Sequence, residues 1–380
     1  MSKDTTNKPL RIVHCFREPT GGLFRHVCDL ARFQAMQGHQ VGIICDTGTG
    51  GPRENEILKE LQPQLALGLY RVPMQRQIGL SDFNTAINIY RIIKKLQPDI
   101  LHGHGAKGGV YARLSGSALR VFSSRVARIY SPHGGSLHYD HNTIRGRALF
   151  LIERFLARRT DAIIFVSNDE KRAYEEKIGK PRCLYAIIYN GLTSEEFTAV
   201  DVNPDATDLL FIGTMRELKG PDILIHAIAN IRDRYGLALS ATIVGDGNEK
   251  PKFVALAQEL DLVKQIRFLA GMPAKEAFAL GRIMVIPSRA EAFPYIVLEA
   301  LASQKLVIAS NVGGIPEVFD ADARALVEPN QEALALKILD VLSHESAYRA
   351  SQPNIDRLRE RFDLSVMARS IELVYREALS

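Results

Sequence analysis

The sequence has no tryptophan, only four cysteines and no long apolar run. Cys15, Cys28, Cys45 and Cys183 are scattered without a CxxC pair, which argues against both disulfides and a zinc site. Cys15 and Cys45 fall in predicted buried strands, where a thiol behaves as a small hydrophobe. No run approaches the roughly 18 apolar residues of a membrane span, and the polar start lacks an apolar signal core. These absences predict a cytoplasmic protein.

Charge is unevenly distributed along the 380 residues. Residues 1–195 hold 28 Lys and Arg against 17 Asp and Glu, whereas the remainder holds 20 against 26. A basic first half indicates a domain that meets an anionic surface, for which phospholipid and nucleic acid are the candidates. Because no zinc-finger spacing, RNP motif or basic zipper occurs, we expect no nucleic-acid partner and favour peripheral contact with the inner membrane.

Apolar strand patterns alternate with helical patterns throughout, which predicts an α/β fold with parallel sheets covered on both faces. In the first half, strands are expected at 11–16, 41–45, 65–72, 100–102, 126–130 and 162–166. Helices are expected at 23–37 and 81–96, the latter with Ser81 as N-cap. The length favours two domains.

The strand pattern restarts in the second half, at 209–213, 241–244, 266–269, 283–286 and 306–309. A polar stretch at 194–208 precedes it, so the domains are placed at 1–192 and 193–360, with a helical segment at 361–380. Two doubly wound Rossmann-like sheets that face each other make a cleft. Ligands bind such sheets at the carboxyl ends of the strands.

A basic segment follows the first strand of the second half. Arg216 and Lys219 lie three and six positions after Gly213, and Gly220 precedes the next helix. A guanidinium fork and an ammonium point charge suit a diphosphate in different ways. Most Lys and Arg side chains are solvated surface residues, so this segment alone is weak support for a phosphate site.

Two carboxylates, Glu291 and Glu299, stand eight positions apart across a predicted junction of loop and helix. The helix is expected to begin near Pro294 or Tyr295, which puts Glu291 in the loop and Glu299 in the second turn. The amides of residues 293–296 then lie at a helix N-terminus, a natural phosphate site. Glu299 could accept hydrogen bonds from a ribose diol, and Glu291 could hold sugar hydroxyls. An isolated pair would be read as two solvated acids that the helix dipole favours.

Three patterns in the first half allow both a functional and a structural interpretation. Gly21-Gly22 lies between a strand and a helix, where a backbone can approach phosphate. His133 stands beside two glycines at a strand end and could bond a sugar hydroxyl or the donor phosphate. His102-Gly-His104 has metal-ligand spacing, but no partner motif follows at a recognisable distance, so a metal is not expected there.

Two further segments are interpreted as ordinary structure. Asp320-Ala-Asp322 matches the DxD pattern that metal-dependent sugar transferases use, but it sits in a polar turn and is taken as chance. Residues 143–159 form a basic amphipathic helix with Leu149, Ile152 and Leu156 on one face. An ordinary domain helix is favoured there over a membrane-docking one.

The motifs together resemble the retaining glycosyltransferases of family four, which have the GT-B fold. They occur in order as Gly213…Lys219-Gly220, Val244-Gly245-Asp246-Gly247, Glu291…Glu299-Ala300 and Gly313-Gly314-Ile315-Pro316-Glu317. The first half agrees through Gly21-Gly22, Pro132-His133-Gly134 and Asn190-Gly191. The resemblance covers nearly the whole chain, and it extends to bacterial polysaccharide-assembly members.

The resemblance implies a role for each residue that matches the family pattern. Arg216 and Lys219 would bind the donor diphosphate, and Glu299 the ribose. Glu291 would contact the donor sugar near the reacting centre. The remaining contacts are assigned to the loop of Phe293, Pro294, Tyr295 and Ile296, to His133, which would orient the sugar, and to Gly21 and Gly22 at the diphosphate.

The implied reaction is transfer from a UDP-, GDP- or ADP-linked sugar to a glycan or lipid-linked acceptor, with retention of configuration, in surface or exopolysaccharide assembly. No metal or other cofactor is expected. The acceptor would meet first-domain loops such as 48–53 and 103–109. The final helix would cross back to the first domain, whereas from the sequence alone it could equally cap the second. Alternatives are a same-fold sugar-nucleotide epimerase and a non-catalytic sugar-binding protein.

The sequence departs from the family pattern at two places. Thr214 stands where the family often has arginine, and Arg216 is the expected substitute. Ala292-Phe293-Pro294 replaces the frequent Gly-Phe-Gly, and the proline removes an amide donor. The second departure bears on the choice of sugar.

Overall fold

The computed structural model describes residues 8–77, 79–122, 125–140, 142–319 and 323–380. It divides into two compact units. The first comprises the chain up to Gly191 together with Leu364–Ser380, and the second comprises Leu192–Asp363.

The described part of the first unit contains a sheet of seven parallel strands. These are β1 (Arg11–Cys15), β2 (Gln40–Asp46), β3 (Gly68–Val72), β4 (Ile100–His104), β5 (Ala127–Ser131), β6 (Ala162–Phe165) and β7 (Leu184–Ile187). Their order is β3-β2-β1-β4-β5-β6-β7, so the strand order reverses between β1 and β4. Side chains that project from the carboxyl ends of these two strands therefore line the crevice where such sheets bind ligands.

Helices connect the strands of the first sheet. They are α1 (Gly21–Met36), α2 (Pro52–Leu61), α3 (Ser81–Leu96), α4 (Gly105–Phe122), α5 (Ile144–Ala157) and α6 (Asn168–Lys177). The six strands predicted for this half are confirmed with small shifts at their ends, whereas β7, a short strand at the sheet edge, is absent from the predicted set. The N-cap prediction for Ser81 is wrong, because Ser81 is the first helical residue and Leu80 holds the cap position.

The second unit repeats the arrangement with six parallel strands in its described part. These are β8 (Thr207–Ile212), β9 (Ala241–Val244), β10 (Ile266–Leu269), β11 (Gly281–Ile286), β12 (Leu306–Ser310) and β13 (Leu326–Val327). Their order is β10-β9-β8-β11-β12-β13, with the reversal between β8 and β11. The five predicted strands are confirmed, and the two-residue β13 is an addition.

Seven helices in the described part of this unit complete its layers. They are α7 (Pro221–Tyr235), α8 (Lys250–Glu259), α9 (Ala274–Phe278), α10 (Tyr295–Ala302), α11 (Gln331–Ser343), α12 (Glu345–Ala350) and α13 (Ile355–Phe362). The core between α7, α11 and the sheet is built from fully buried Ile and Leu side chains, among them Leu224, Ile228 and Ile338. Near-continuous apolar strands are typical of a parallel sheet buried on both faces.

The last helix, α14 (Leu364–Leu379), belongs to the first unit. Met367, Ile371 and Tyr375 are buried in one cluster with residues of β1, β4, β5 and β6. The Tyr375 hydroxyl lies 2.6 Å from Nδ1 of His102. The end of the chain therefore supplies part of the core of the first unit.

The orientation of α5 differs from the predicted one. Leu156 is buried, but Ile152 is 37% exposed, and the inward face carries Phe150 and Glu153 instead. Glu153 is buried because its carboxylate meets the Arg113 guanidinium at 2.9 Å, and both side chains are almost fully enclosed. Because Glu153 faces the core to form this ion pair, the inward face of α5 is not the one that the apolar pattern predicts. Other apolar residues of the helix lie on its outer face.

All four cysteines are free thiols, and Cys15 and Cys45 are fully buried in β1 and β2, as predicted. Burial raises the pKa of the Cys45 thiol to about 12, which favours the neutral, unreactive form. Within the described residues, no helix has both the length and the hydropathy that crossing a membrane requires.

We expect Glu153→Ala to destabilise the first unit by about 3–5 kcal/mol, because it leaves the buried Arg113 charge unpaired. The double variant Arg113→Met/Glu153→Leu should recover most of this loss, since it removes both charges and fills the space. Urea unfolding measures both effects. Arg282→Ala, which removes an exposed ion pair with Glu345, is the control and should cost at most about 1 kcal/mol. A double variant as unstable as the single one would contradict this account.

Candidate functional site

The second unit gathers most of the predicted site residues at the carboxyl edge of its sheet. The loops after β8, β9, β11 and β12 all begin at this edge, because the strands are parallel. Backbone hydrogen bonds join the first two loops, from Gly213 N to Val244 O at 3.0 Å and from Met215 N to Asp246 O at 3.0 Å. The loops therefore form one connected layer beside the strand reversal.

Lys219 and Glu291 are in direct contact. The Lys219 ammonium Nζ lies 2.6 Å from Glu291 Oε1, and the Ser288 hydroxyl donates to the same oxygen at 2.8 Å. The Glu291 side chain is 9% exposed and that of Lys219 is 30% exposed. A base assigned to the diphosphate and an acid assigned to the sugar thus form one partly buried ion pair, which the sequence did not predict.

Arg216 and Thr214 both occupy the loop after β8 with exposed side chains. Among the described residues, the Arg216 guanidinium has no hydrogen-bond or ion-pair partner, and its backbone caps the short 3-10 turn Glu217–Lys219. A cation without a protein partner is suited to meet an anion from solution. Its role as the substitute for the family arginine stays a prediction.

The helix α10 begins at Tyr295, as predicted, and Pro294 holds the N-cap position. Phe293, Pro294 and Tyr295 are buried, and Ile296 is half-buried. The Phe293 ring packs on Phe362 with centroids 5.7 Å apart.

Glu299 lies in the second turn of α10 and is half-buried. It is separated from Glu291 by the helix start, so the two acids occupy different parts of the same edge. This placement agrees with separate tasks for the two carboxylates, although each task remains a prediction.

Two glycines allow the loops at this edge to approach one another closely. Gly220 has φ of +71°, and a Cβ there would lie 2.0 Å from the Pro287 carbonyl oxygen. Gly313 has φ of +56°, and its Cβ would lie 1.7 Å from the Glu291 carbonyl oxygen. Only glycine fits either position. The segment after Gly313 is a single 3-10 turn, Ile315–Glu317.

A second ion pair in this layer was missed from the sequence. Arg289, in the loop after β11, pairs with Asp222 in the first turn of α7 through two contacts of 2.9 and 2.6 Å. Partial burial raises the pKa of the Asp222 carboxyl, but hydrogen bonds and charge from Arg289 outweigh it, so the pKa lies below its ordinary value. The Arg289 amide also donates to Leu218 O at 2.8 Å. Arg289 therefore positions the turn that carries Lys219.

In the first unit, Gly21 and Gly22 form the first turn of α1 and are exposed. Gly21 has φ of +65°, and a Cβ there would meet nothing within 4 Å. The N-cap residue Thr20 makes no side-chain hydrogen bond to the helix. The helix begins two residues earlier than predicted, so both glycine amides belong to its N-terminus, where the dipole favours an anion.

His133 follows β5 in a left-handed conformation with φ of +50°. The carboxylate of Glu170 holds the adjacent loop by accepting from Gly134 N at 2.5 Å and Val166 N at 2.9 Å. Burial raises the pKa of Glu170 to about 7. Burial, and then the charge of the nearby His26 ring, lower the pKa of His133 well below its ordinary value. The His133 ring is therefore neutral and can accept as well as donate a hydrogen bond.

His102 and His104 lie at the end of β4 and are fully enclosed. The sequence shows no partner motif for them at a recognisable spacing, yet His14 from β1, His26 from α1 and His133 surround them. These partners are too far away in sequence for a spacing motif to reveal them. Asp320 and Asp322 lie outside the described residues.

Comparisons with known proteins agree with this geometry. The family described as "Glycosyltransferase Family 4" matches residues 20–196, and "Glycosyl transferases group 1" matches residues 193–357. An uncharacterized glycosyltransferase of Methanocaldococcus jannaschii is 30% identical over 303 residues, which cover 77% of this chain and 80% of the relative. A D-inositol 3-phosphate glycosyltransferase of Corynebacterium jeikeium is 32% identical over 358 residues, with 84% of each chain covered.

Solved structures give the same fold. Sucrose-phosphate synthase from Thermosynechococcus elongatus has a TM-score of 0.77 at 20% identity and matches 97% of this chain and 98% of its own. Anabaena HepE in complex with UDP and glucose has a TM-score of 0.79 at 17% identity and matches 96% and 100%. Two Rossmann-like parallel-sheet units with these neighbours define the GT-B fold. The chain belongs to the family-four glycosyltransferases and is a glycosyltransferase that uses a nucleotide sugar.

We expect Gly313→Ala to destabilise the second unit more than Gly236→Ala does. Gly236 has φ of +68° with nothing within 4 Å of its Cβ position, so alanine there costs only the left-handed backbone, roughly 1–2 kcal/mol. Gly313→Ala adds a collision with the Glu291 carbonyl, which should cost about 1–3 kcal/mol more.

The midpoint of urea unfolding measures the difference between these two variants. Nucleotide binding by calorimetry should weaken for Gly313→Ala alone, because only that change displaces the backbone of Glu291. Equal midpoints for the two variants would contradict the close approach.

Proposed function

We propose that the protein transfers a sugar from a nucleoside diphosphate to a glycan or lipid-linked acceptor with retention of anomeric configuration and without a metal ion. The observation that carries the proposal is the Lys219–Glu291 contact at the strand reversal of the second sheet. It puts an ammonium suited to a diphosphate next to a carboxylate suited to sugar hydroxyls. Assembly of surface or exopolysaccharide is the proposed setting.

In the proposed reaction, the cations Lys219 and Arg216 stabilise the leaving nucleoside diphosphate. As the anomeric C–O bond breaks, negative charge develops on the diphosphate, and Lys219 and Arg216 are proposed to bind it. Arg289 holds the turn that carries Lys219, so the ammonium is preorganised. Glu299 in α10 is proposed to accept from the ribose diol.

The proposed chemistry is attack from the front face. The acceptor hydroxyl forms the new bond to the anomeric carbon on the side from which the diphosphate departs. Its proton passes to a diphosphate oxygen, so the products are the glycoside and the protonated nucleoside diphosphate. Glu291 and His133 are proposed to hold donor-sugar hydroxyls, and Gly21 and Gly22 to offer amides to the diphosphate. The HepE structures contain UDP or UDP-glucose, which makes a uridine donor the first to test.

We expect Lys219→Ala and Glu291→Ala each to lower kcat/KM by about 100–1000-fold, the range for loss of one transition-state contact. Lys219→Ala should also weaken binding of the free nucleoside diphosphate in calorimetry. Lys264→Ala, an exposed lysine of the same unit, is the matched control and should leave both values unchanged. Full activity of both variants with UDP-, GDP- and ADP-linked sugars would overturn the proposal.

Further measurements separate the alternatives. NMR of the product should show the anomeric configuration of the donor, and EDTA should not lower the rate. An epimerase would convert the nucleotide sugar without an acceptor. A sugar-binding protein would bind sugar in calorimetry but none of UDP, GDP or ADP.

We also propose that α5 contacts an anionic membrane, which would bring the first unit to a lipid-linked acceptor. Ile144, Leu151 and Phe155 are 90%, 62% and 51% exposed on the outer face of this helix. A groove of about 330 Å³ beside it is lined by several cations, namely Arg154, Arg158, Lys180 and Arg182. Exposed apolar side chains next to cations are typical of interfacial helices. The location at the cytoplasmic face of the membrane is part of this proposal.

We expect the protein to sediment with anionic liposomes at low ionic strength and to be released as salt rises. Leu151→Asp/Phe155→Asp should weaken binding at least tenfold, because both apolar contacts are lost and negative charge is added. Leu336→Asp, a change at an exposed leucine of α11, should have no effect. Absence of binding to anionic liposomes at low salt would remove the membrane proposal and leave the transfer reaction untouched.

A further inference from the structure

Five histidines lie together at the strand reversal of the first sheet. His14 comes from β1, His26 from α1, His102 and His104 from β4, and His133 from the loop after β5. Ring centroids are 3.9 Å apart for His102 and His104, and 4.7 Å apart for His26 and His133. We call these five residues the histidine cluster. Only His133 has a place in the proposed transfer reaction, so the other four need a separate account.

Hydrogen bonds fix which ring nitrogen carries the proton along one side of the cluster. His14 Nε2 donates to the side-chain oxygen Oε1 of Gln34 at 2.8 Å, so its Nδ1 is an acceptor. His104 Nε2 therefore donates to His14 Nδ1 at 3.0 Å, and His104 Nδ1 holds a lone pair. His133 Nε2 donates to that lone pair at 3.1 Å. Since desolvation lowers the pKa of these rings, the neutral forms required for this pattern prevail.

His26 offers a second lone pair at the same place. Its Nδ1 donates to the side-chain carbonyl of Asn190 at 3.0 Å, which leaves Nε2 as the unprotonated nitrogen. His26 is 2% exposed, and its Nε2 has no hydrogen-bond partner among the described residues. A buried nitrogen without a partner is costly, and it points to a ligand that completes the site.

We propose that His26, His104 and His133 bind a divalent transition metal ion, Zn²⁺, with the fourth position open to water. One ring nitrogen of each lies within 4.8 Å of the others. Two nitrogens on tetrahedral zinc are separated by about 3.4 Å, given a Zn–N distance of roughly 2.0–2.1 Å, and His104 Nδ1 and His133 Nε2 are 3.1 Å apart. In the hydrogen bond between these two nitrogens, the proton is on His133 Nε2. When the ion binds, this proton would move to His133 Nδ1, so that both nitrogens can coordinate the ion.

The surroundings favour this set of ligands over the other histidine trio. His14, His102 and His104 also bring three nitrogens together. Both ring nitrogens of His102, however, are already bonded, to Tyr375 Oη at 2.6 Å and Ser131 Oγ at 2.9 Å. Binding there would break several hydrogen bonds, whereas the proposed set loses only the bond from His133 to His104.

The outer contacts and the ligand type agree with zinc. Asn190 and His14 accept from the second ring nitrogens of His26 and His104, and such outer partners orient metal-binding imidazoles. Neutral imidazoles select zinc and its neighbours over magnesium and calcium, which prefer oxygen. His133 is half-buried, whereas His26 and His104 are buried, so the ion would enter from the side of His133.

Occupancy of this site would remove His133 from the donor sugar, so Zn²⁺ would inhibit transfer. This consequence rests on the proposed function, whereas the metal site itself does not.

The test measures metal binding directly on the full, untagged chain after treatment with EDTA. Calorimetry with Zn²⁺ should show one equivalent bound, and Co²⁺ should give the intense visible absorption of a tetrahedral site. His26→Gln should weaken Zn²⁺ binding by more than the roughly 10–100-fold that the loss of an outer partner costs. Asn190→Ala keeps all three ligands and should lie within that range. His344→Gln, at an exposed histidine of the second unit, should bind as the parent chain does.

Equal Zn²⁺ affinity of the parent chain, His26→Gln and Asn190→Ala would overturn the proposal. So would a weak, octahedral Co²⁺ spectrum, which indicates adventitious surface binding. If His26→Gln fails to fold, as judged by circular dichroism, the Asn190→Ala titration decides alone. Zinc that binds without slowing transfer would support the metal site and contradict the sugar role of His133, so the two proposals fail separately.

Discussion

Contact between the backbones of loops at the carboxyl edge of the second sheet is the constraint on which the candidate site depends. Gly220 touches the carbonyl of Pro287, and Gly313 touches that of Glu291. These contacts, together with the Arg289–Asp222 pair, bring the loops after β8, β11 and β12 into one layer. Lys219 and Glu291 can meet at 2.6 Å only because their loops are held this closely. The Lys219–Glu291 ion pair therefore depends on glycine, which has no Cβ atom, at positions 220 and 313.

The sequence predicted the sheets well, because strands buried on both faces are short apolar runs between turn residues. It also predicted the start of α10. The residues assigned to the donor side lie along one edge of the second sheet, and their roles stay predictions. The sequence did not predict that Lys219 pairs with Glu291, or that Arg289 pairs with Asp222. Such contacts depend on which strands are neighbours, and strand order is set by the packing of the whole sheet rather than by any local pattern.

The first unit shows two further limits of local patterns. The apolar face expected for α5 is shifted because Glu153 turns inward to meet Arg113, and an isolated pattern cannot foresee a buried acid. His102 and His104 gave a spacing signal without partners, yet His14 from β1 and His133 from the loop after β5 lie beside them. Both cases arise where polar side chains are buried, since burial of a polar group is decided by a partner distant in sequence.

The place of α14 has a consequence for synthesis. Its side chains fill the core beside β1, β4, β5 and β6, and Tyr375 bonds His102. A ribosome therefore completes residues 192–363 before it has made the last part of the first unit. The apolar surface that Met367, Ile371 and Tyr375 cover stays open until α14 has left the ribosome. Although domains usually fold from the N-terminus as they emerge, the unit whose synthesis starts first is here completed after the other.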